Sequence, residues 1–246
     1  MSELSEMVAT VERAGFAVVP GVMSDGQIAR AVSAIERARV SGSARRRRGG
    51  VVYALRNLLE DVPELRELVD ETRVCGLASA VLGAPAFIVR SILFDKTPEA
   101  NWKVAWHQDL SIAVRHARRD AEGFGGWSEK AGVVHVQPPV KVLAGMLAIR
   151  LHLDASESAN APLRVVPGSH LRGRLHAEAI SRLVENSRPV SCLVPRGGAL
   201  LMRPLLLHAS SAARNPEQHR RVIHLEFAAA ELPAGLEWSG GVRPTA

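Results

Sequence analysis

Two textures divide the chain. Up to about residue 84 apolar positions recur at helical spacing, and beyond Pro85 they come in short runs cut by Gly and Pro. In "SDGQIARAVSAIERARV", Ser24 and Gln27 stand three apart, as in a capping box. Ile28, Val32 and Ile35 then follow on one helical face. A second helix is predicted from Pro63, suited to a first helical turn, to about Leu82, with Gly83 as its stop. Leu65, Leu68, Val69, Leu77 and Val81 form its apolar stripe, which reads as core.

The later runs are "AFIVRSILFD", "VAWHQDLSI", "LAGMLAIRLHLD", "LRVVPG", "PVSCLV", "GALLMRPLLLHAS" and "RRVIHLEFAA". Short strands with this punctuation predict a sandwich or jelly roll, not a parallel α/β sheet. Between them lie a long insertion (115–141) and a helical piece, "HAEAISRLVENS". The expectation is one domain over 1–246, mainly β with N-terminal helices: a helical part over 1–84 and a jelly-roll core over 85–230. No repeat, heptad run or Gly-rich phosphate loop interrupts this pattern.

Composition narrows the class. At 47% hydrophobic and 23% charged, the 246 residues are those of an ordinary globular protein large enough for a substantial core. No apolar run reaches the roughly 18 residues of a membrane helix. The acidic, amphipathic start "MSELSEMVATVERAG" lacks the basic and apolar regions of a signal peptide. No membrane partner and a cytoplasmic location are therefore expected. Cys75 and Cys192 form no CxxC and read as reduced thiols. The net charge of +6 is concentrated in "ARRRRGG". Like charges beside glycines read as a solvated loop, and ten aromatic residues in the whole chain offer no base-stacking platform. A small-molecule substrate is expected rather than nucleic acid, with monomer and homodimer both open.

Candidate chemistry rests on histidine. Side chains two apart on a strand share a face, so a His-x-acid pair there can offer two ligands to one ion. Four such pairs occur: His107/Asp109, His152/Asp154, His176/Glu178 and His224/Glu226. His176/Glu178 falls in the helical piece, where positions two apart diverge. His224/Glu226 has no histidine after it. The other two pairs both have His208 downstream, and two His plus one carboxylate suit a non-haem Fe(II) with open positions. Arg220 and Arg221 open the next strand, and a buried guanidinium can grip a carboxylate bidentately. These residues alone do not choose between the two pairs.

From about residue 85 to 228 the chain resembles the phytanoyl-CoA dioxygenase family of Fe(II)/2-oxoglutarate-dependent oxygenases. "WHQDL" resembles the family's His-x-Asp strand, and "LHLDASESANAPLRVVPGSH" its acidic turn and Pro-Gly-Ser-His stretch. "PRGGALLMRPLLLHASS" resembles the strand ending in the distal His, and "HRRVIHLEFA" the Arg-bearing strand after it. The resemblance implies a double-stranded β-helix (a cupin-like jelly-roll barrel) with His107, Asp109 and His208 as Fe(II) ligands and catalytic centre. It implies 2-oxoglutarate and O₂ as cosubstrates, with release of succinate and CO₂ as a small-molecule or carrier-bound substrate is hydroxylated. Asp154 then caps a turn and His152 faces the pocket without binding iron. An acidic ligand at Asp109 is also what separates hydroxylases from related halogenases, which carry a small residue there.

Three departures stand out. Ala161 and Ala209 replace the family's usual glycines, and the spacing from His208 to the cosubstrate Arg is one residue longer. Arg220 and Arg221 are both candidates for that anchor, and counting back from Phe227 favours Arg220. Arg150 interrupts a strand on the face of His152 and needs a partner there: a substrate or cosubstrate carboxylate, or an acid such as Glu226. Arg90 and Lys96 pose the same question more weakly, with strand-edge ion pairs as the simpler answer. Trp102, Trp106, Phe124 and Trp127 are aromatic candidates for pocket or core. An oxygenase of nucleic acid or protein, and a non-catalytic jelly-roll binder, are the alternatives.

Overall fold

Helix α1 (Glu3–Ala14) starts under the Ser2 hydroxyl and stops at Gly15, whose φ of 86° turns the chain into strand β1 (Phe16–Val19). Glycine is required twice over there, since a Cβ would sit 2.5 Å from His170 Nδ1. Ser24 N donates to Gln27 Oε1 (2.8 Å) and Gln27 N to Ser24 Oγ (3.3 Å), so the predicted capping box opens α2 (Asp25–Ser41). Next come β2 (Arg45–Arg48), β3 (Val51–Arg56), α3 (Leu58–Asp61), α4 (Pro63–Asp70) and α5 (Val74–Leu82), then β4 (Phe87–Lys96). The computed structural model describes residues 2–41, 45–48, 51–70, 72–97, 101–130, 132–213 and 219–240.

Three expectations for this region are corrected. The first 84 residues are not wholly helical, because β1, β2 and β3 all join the main sheet. The helix expected over 63–82 is two: the Thr72 hydroxyl donates to Val69 O (2.6 Å) and accepts from Val74 N (3.3 Å), closing one helix and starting the next. The Arg45–Arg48 run, expected as a loop, is a strand paired with β3. Backbone pairing there overrides charge repulsion, and the run forms the outermost strand of the sheet. Charged edge strands resist pairing with another chain.

The remaining strands are β5 (Val104–His107), β6 (Ile112–Val114), β7 (Gly125–Lys130), β8 (Val133–Gln137), β9 (Met146–His152), β10 (Leu163–Val165), β11 (Val190–Cys192), β12 (Ala199–Met202), β13 (His208–Ser210) and β14 (Arg220–Ala228). Helices α6 (Val140–Ala144) and α7 (Ala177–Glu185) interrupt them. The antiparallel seven-stranded sheet runs β1-β12-β9-β14-β4-β3-β2, and a four-stranded sheet runs β11-β10-β13-β5. Together they make the double-stranded β-helix, mainly β with helices packed outside. The insertion adds a third sheet, β6-β8-β7. "GALLMRPLLLHAS" is two strands in two sheets, broken at Arg203-Pro204, because proline lacks the N–H a ladder needs.

Alternation along the central strands positions the site. Leu147, Ile149 and Leu151 of β9 and Ile223, Leu225 and Phe227 of β14 face the helices and build the main core with Ile28, Ile35 and Leu65. Each such burial contributes roughly 1.5–3 kcal/mol. The other face carries polar residues in cross-strand rows fixed by register. Lys96 lies beside Arg220; His152, Val222 and Phe94 form the next row; Arg150, His224, Ile92 and Arg56 the next; Ala148, Glu226 and Arg90 the last. No helix among the described residues is long and apolar enough to cross a membrane.

Candidate metal centre and its cavity

His107 ends β5 and His208 begins β13, and the two residues are register partners across these neighbouring strands. Their rings lie 4.2 Å apart. Asp109 follows with its backbone N–H donating to Pro204 O (2.9 Å). Gln108, between the two cavity-facing residues, is buried. Its amide donates to Gly173 O (2.8 Å) and Leu205 O (2.7 Å), and its oxygen accepts from Leu175 N (2.8 Å). That anchor fixes which way His107 and Asp109 point.

His107 Nδ1 lies 2.8 Å from Ala105 O and His208 Nδ1 2.9 Å from Leu206 O. A carbonyl only accepts, so each Nδ1 carries a proton, and in the neutral ring each Nε2 presents a lone pair. Those Nε2 atoms sit 3.8 and 3.7 Å from the two Asp109 oxygens. One ligand atom from each of the three residues falls within 4.8 Å of the others. The separations are too long for hydrogen bonds and leave room for an ion.

Electrostatics support the same donor set. Burial pushes His208 down to about 4, which keeps its imidazole neutral. Burial works to raise the Asp109 carboxyl, but His208, His224, His107 and Arg150 outweigh it and hold it below the usual carboxylate range. His135, on β8, is likewise pushed down to about 4 by burial. Both bases take up a proton more readily in the unfolded chain, so stability is lost as pH falls from about 6.5 towards 4. The expected result is a lower urea midpoint at pH 5 than at pH 7. An unchanged midpoint would contradict the buried neutral state.

The triad opens into a cavity of about 240 Å³ lined by the inner rows of the main sheet. Arg220 is buried in its wall, donates to Ala161 O, and leaves its Nε without a partner. Burial, with Arg150 nearby, pushes Arg220 down to about 9. A guanidinium keeps its proton there, so the buried charge calls for a compensating anion. Lys96, beside it, donates to Ser210 Oγ (2.8 Å) and lies 5.4 Å from the Trp102 ring centroid. Burial followed by Arg220 and Arg150 pushes Lys96 down to about 7.

Arg221 points the other way. Its Nε and Nη2 both donate to the Asp154 carboxylate at 2.8 Å, and its backbone N donates to the same group. It sits outside the cavity wall, because neighbours along a strand face opposite sides. Asp154 serves that pair and stays away from the triad. His152 is buried on the cavity side of β9 with neither ring nitrogen partnered, and it is outside the metal cluster. His176 caps α7.

Arg150 reaches His224, with Nη1 3.2 Å from Nδ1, and its Nε is buried without a partner. Glu226 is taken instead by Arg90 at 2.9 Å, across strands β4 and β14. Of the four aromatic candidates, Trp102 lines the cavity, Phe124 and Trp127 of the insertion pack on a second core cluster, and Trp106 lies under Arg164. Ser210 and Arg56 also line the cavity, and nothing in the chain's spacing marked them. Only the pairing of β13 with β5 and of β3 with β4 brings them there. A larger groove, of about 880 Å³, lies between α1, β1 and α5, away from the triad.

Ala161 stands where a glycine is expected, at φ 61°. Its carbonyl accepts from both Arg220 and Ser210, so the left-handed turn aims it into the cavity wall. Ala161→Gly is expected to relieve the crowded Cβ and raise stability by about 1 kcal/mol, read by chemical denaturation. A loss of stability would show that the turn carries no strain.

A family model described as phytanoyl-CoA dioxygenase matches residues 11–222. The ectoine dioxygenase of Bordetella parapertussis is 25% identical over 173 residues, 68% of this chain and 49% of that protein. The matched stretch thus spans about half the length of that relative. The non-heme alpha-ketoglutarate-dependent carbocyclase SnoK from nogalamycin biosynthesis superposes with TM-score 0.72 at 19% identity, covering 99% of this chain and 87% of that one. EctD from S. alaskensis, solved with 2-oxoglutarate and 5-hydroxyectoine, gives TM-score 0.72 at 19% identity over 93% of this chain and 76% of that one.

Proposed function

The chain belongs to the phytanoyl-CoA dioxygenase family, and on that premise we propose that it is an Fe(II)- and 2-oxoglutarate-dependent dioxygenase that hydroxylates a small-molecule or carrier-bound substrate. The observation that carries this reading is the meeting, in one small cavity, of the His107/Asp109/His208 cluster and the buried Arg220. Two imidazoles and one carboxylate fit Fe(II) and leave its other positions open. Bound there, iron supplies O₂ chemistry coupled to decarboxylation of 2-oxoglutarate to succinate.

The chain's own residues supply the rest. Arg220 would hold the distal carboxylate of 2-oxoglutarate through its fork, with Ser210 and Lys96 beside it. The row order supports this placement: Arg220 lies four residues from His224, which neighbours Asp109 electrostatically. The Arg221–Asp154 pair supports Arg220 over Arg221 as the anchor. Arg150 is placed between the two ends, where it would orient the metal-side carboxylate. Leu163 and Phe94 would exclude water from that dicarboxylate. Asp109 would fill the ligand position that chlorination needs left open, which supports hydroxylation.

The test is an anaerobic titration of 2-oxoglutarate into Fe(II)-loaded protein, read by the metal-to-ligand absorption band, followed by succinate release in air. Saturable appearance of the band is expected. Metal-loaded protein that fails to bind 2-oxoglutarate would overturn the proposal.

A further inference from the structure

A chain of polar side chains crosses the main-sheet wall of the cavity. Register sets Arg150 of β9 opposite His224 of β14, and Glu226 of β14 opposite Arg90 of β4. All four line the cavity together with His107, Asp109 and His208. Arg90 Nη1 lies 2.9 Å from Glu226 Oε1, and His224 Nε2 lies 3.4 Å from that same oxygen. On the other side of the ring, Arg150 Nη1 lies 3.2 Å from His224 Nδ1. Arg150, His224 and Glu226 are all buried.

Donor chemistry gives this chain a direction. A guanidinium only donates, so His224 Nδ1 accepts from Arg150 and the ring's proton stands on Nε2, facing Glu226. Which ring nitrogen carries the proton depends on what the other one meets. A proton on Nδ1 would turn a donor toward a donor and release Arg150. Glu226 is in turn held by Arg90 on the neighbouring strand, through a charged contact. Burial works to raise the Glu226 carboxyl, but Arg90 and His224 outweigh it and hold it below the usual range. It therefore stays an anion that draws the ring's proton to its side.

Arg150 needs such a hold. Its register neighbour on the β12 side is Leu200, whose side chain offers no acceptor, and its Nε is buried without a partner. A long side chain with several rotatable bonds is aimed only by its contacts. The Phe94 ring lies 5.5 Å from the Arg150 Cζ and meets the His224 ring edge-on, with centroids 5.9 Å apart, so one aromatic surface supports both. Arg150 also helps keep Asp109 ionised, which places the guanidinium within electrostatic reach of the triad.

We propose that His224 and Glu226 are positioning residues: Arg90 fixes Glu226, Glu226 fixes the His224 tautomer, and His224 aims the Arg150 guanidinium at the metal-side carboxylate of 2-oxoglutarate. Neither residue touches the cosubstrate, and both act through Arg150. The relay sets the direction of a forked donor, and a fork grips a carboxylate well only when the two planes meet. Arg220 holds the far end independently of it.

This assignment rests on the dioxygenase reading, so the experiment separates the two. Fe(II)-loaded protein is titrated without oxygen with 2-oxoglutarate and with 2-oxopentanoate, the same acid without its distal carboxylate. Binding is read by the metal-to-ligand band. His224→Leu removes the acceptor, and it should weaken both acids by roughly fivefold or more, with Arg150→Gln costing at least as much. His224→Asn, whose side-chain oxygen can stand near the place of Nδ1, should recover part of the loss. In the Arg150→Gln background, His224→Leu should cost a further factor below about two, because its route to the ligand is gone. Glu226→Gln repeats the cycle at constant volume, with a loss of roughly threefold or more that again vanishes once Arg150 is changed. Iron should remain at one per chain throughout. Unchanged affinity in either cycle would overturn the proposal, as would loss of iron or losses that multiply in full in the double variants. A loss confined to 2-oxoglutarate would also overturn it, since the effect would then lie at the Arg220 end. Failure of the wild-type protein to bind 2-oxoglutarate would instead strike the dioxygenase reading.

Discussion

Replacing His208 with alanine is expected to remove stoichiometric Fe(II) binding and all 2-oxoglutarate turnover. Changes in residues that merely orient a metal ligand typically cost 10–100-fold in affinity, so losing a ligand should exceed about 100-fold. The two remaining groups, His107 and Asp109, are both partly open to the cavity, and the contacts that hold them, to Ala105 and Pro204 and through Gln108, set their direction without supplying a third ligand. They cannot fix the coordination geometry alone. His208 is itself buried, so a small cavity replaces the ring and the Leu206 carbonyl loses its contact. Thermal denaturation in the absence of metal separates that structural cost from metal loss. His152→Ala is the control: it removes an equally buried imidazole from the other sheet and should leave one iron per chain. Iron bound at wild-type stoichiometry in His208→Ala would refute the triad.

Much of this architecture was legible in the residues themselves. The capping box at Ser24 and Gln27 involves neighbours three apart, and local chemistry fixes it wherever the helix lies. The alternation in "AIRLHLD" and "RRVIHLEFA" separates a helix-facing from a cavity-facing set, and the structure keeps that separation along β9 and β14 as far as His152, beyond which Asp154 turns to Arg221. What stayed hidden depends on pairing between distant segments. Arg45–Arg48 read as a solvated loop because four like charges repel, and only its pairing with β3 makes it a strand. Arg150 was matched to Glu226 or to a ligand carboxylate on face alone. Register puts His224 opposite Arg150 and brings Arg90, from β4, to Glu226. Ser210 and Arg56 carry no local signal at all. A serine two after a histidine and an arginine ending a short strand acquire meaning only when two sheets close over one cavity.

The anchor for the cosubstrate is where sequence and structure together make the sharpest demand. Arg220→Ala is expected to weaken 2-oxoglutarate binding by roughly 30- to 1,000-fold, corresponding to about 2–4 kcal/mol for a charged contact broken on one side. Arg221→Ala should leave that affinity within about threefold and lower stability instead, since it strands the Asp154 carboxylate that Arg221 now holds through two 2.8 Å contacts. The opposite outcome, with cosubstrate lost in Arg221→Ala and kept in Arg220→Ala, would mean that the inward face of β14 is the other one. Arg220→Lys should recover only part of the loss. An ammonium is a point charge that cannot reproduce the planar fork, and it would lie beside Lys96, whose own charge is already disfavoured by burial and by its cationic neighbours. If neither alanine variant loses 2-oxoglutarate, Arg150 becomes the anchor, and the cosubstrate must lie across the His224 row rather than along the strand. The titration that decides among the three is the same absorption measurement in each case, made on iron-loaded protein without oxygen, so metal retention is checked in the same cuvette as the cosubstrate.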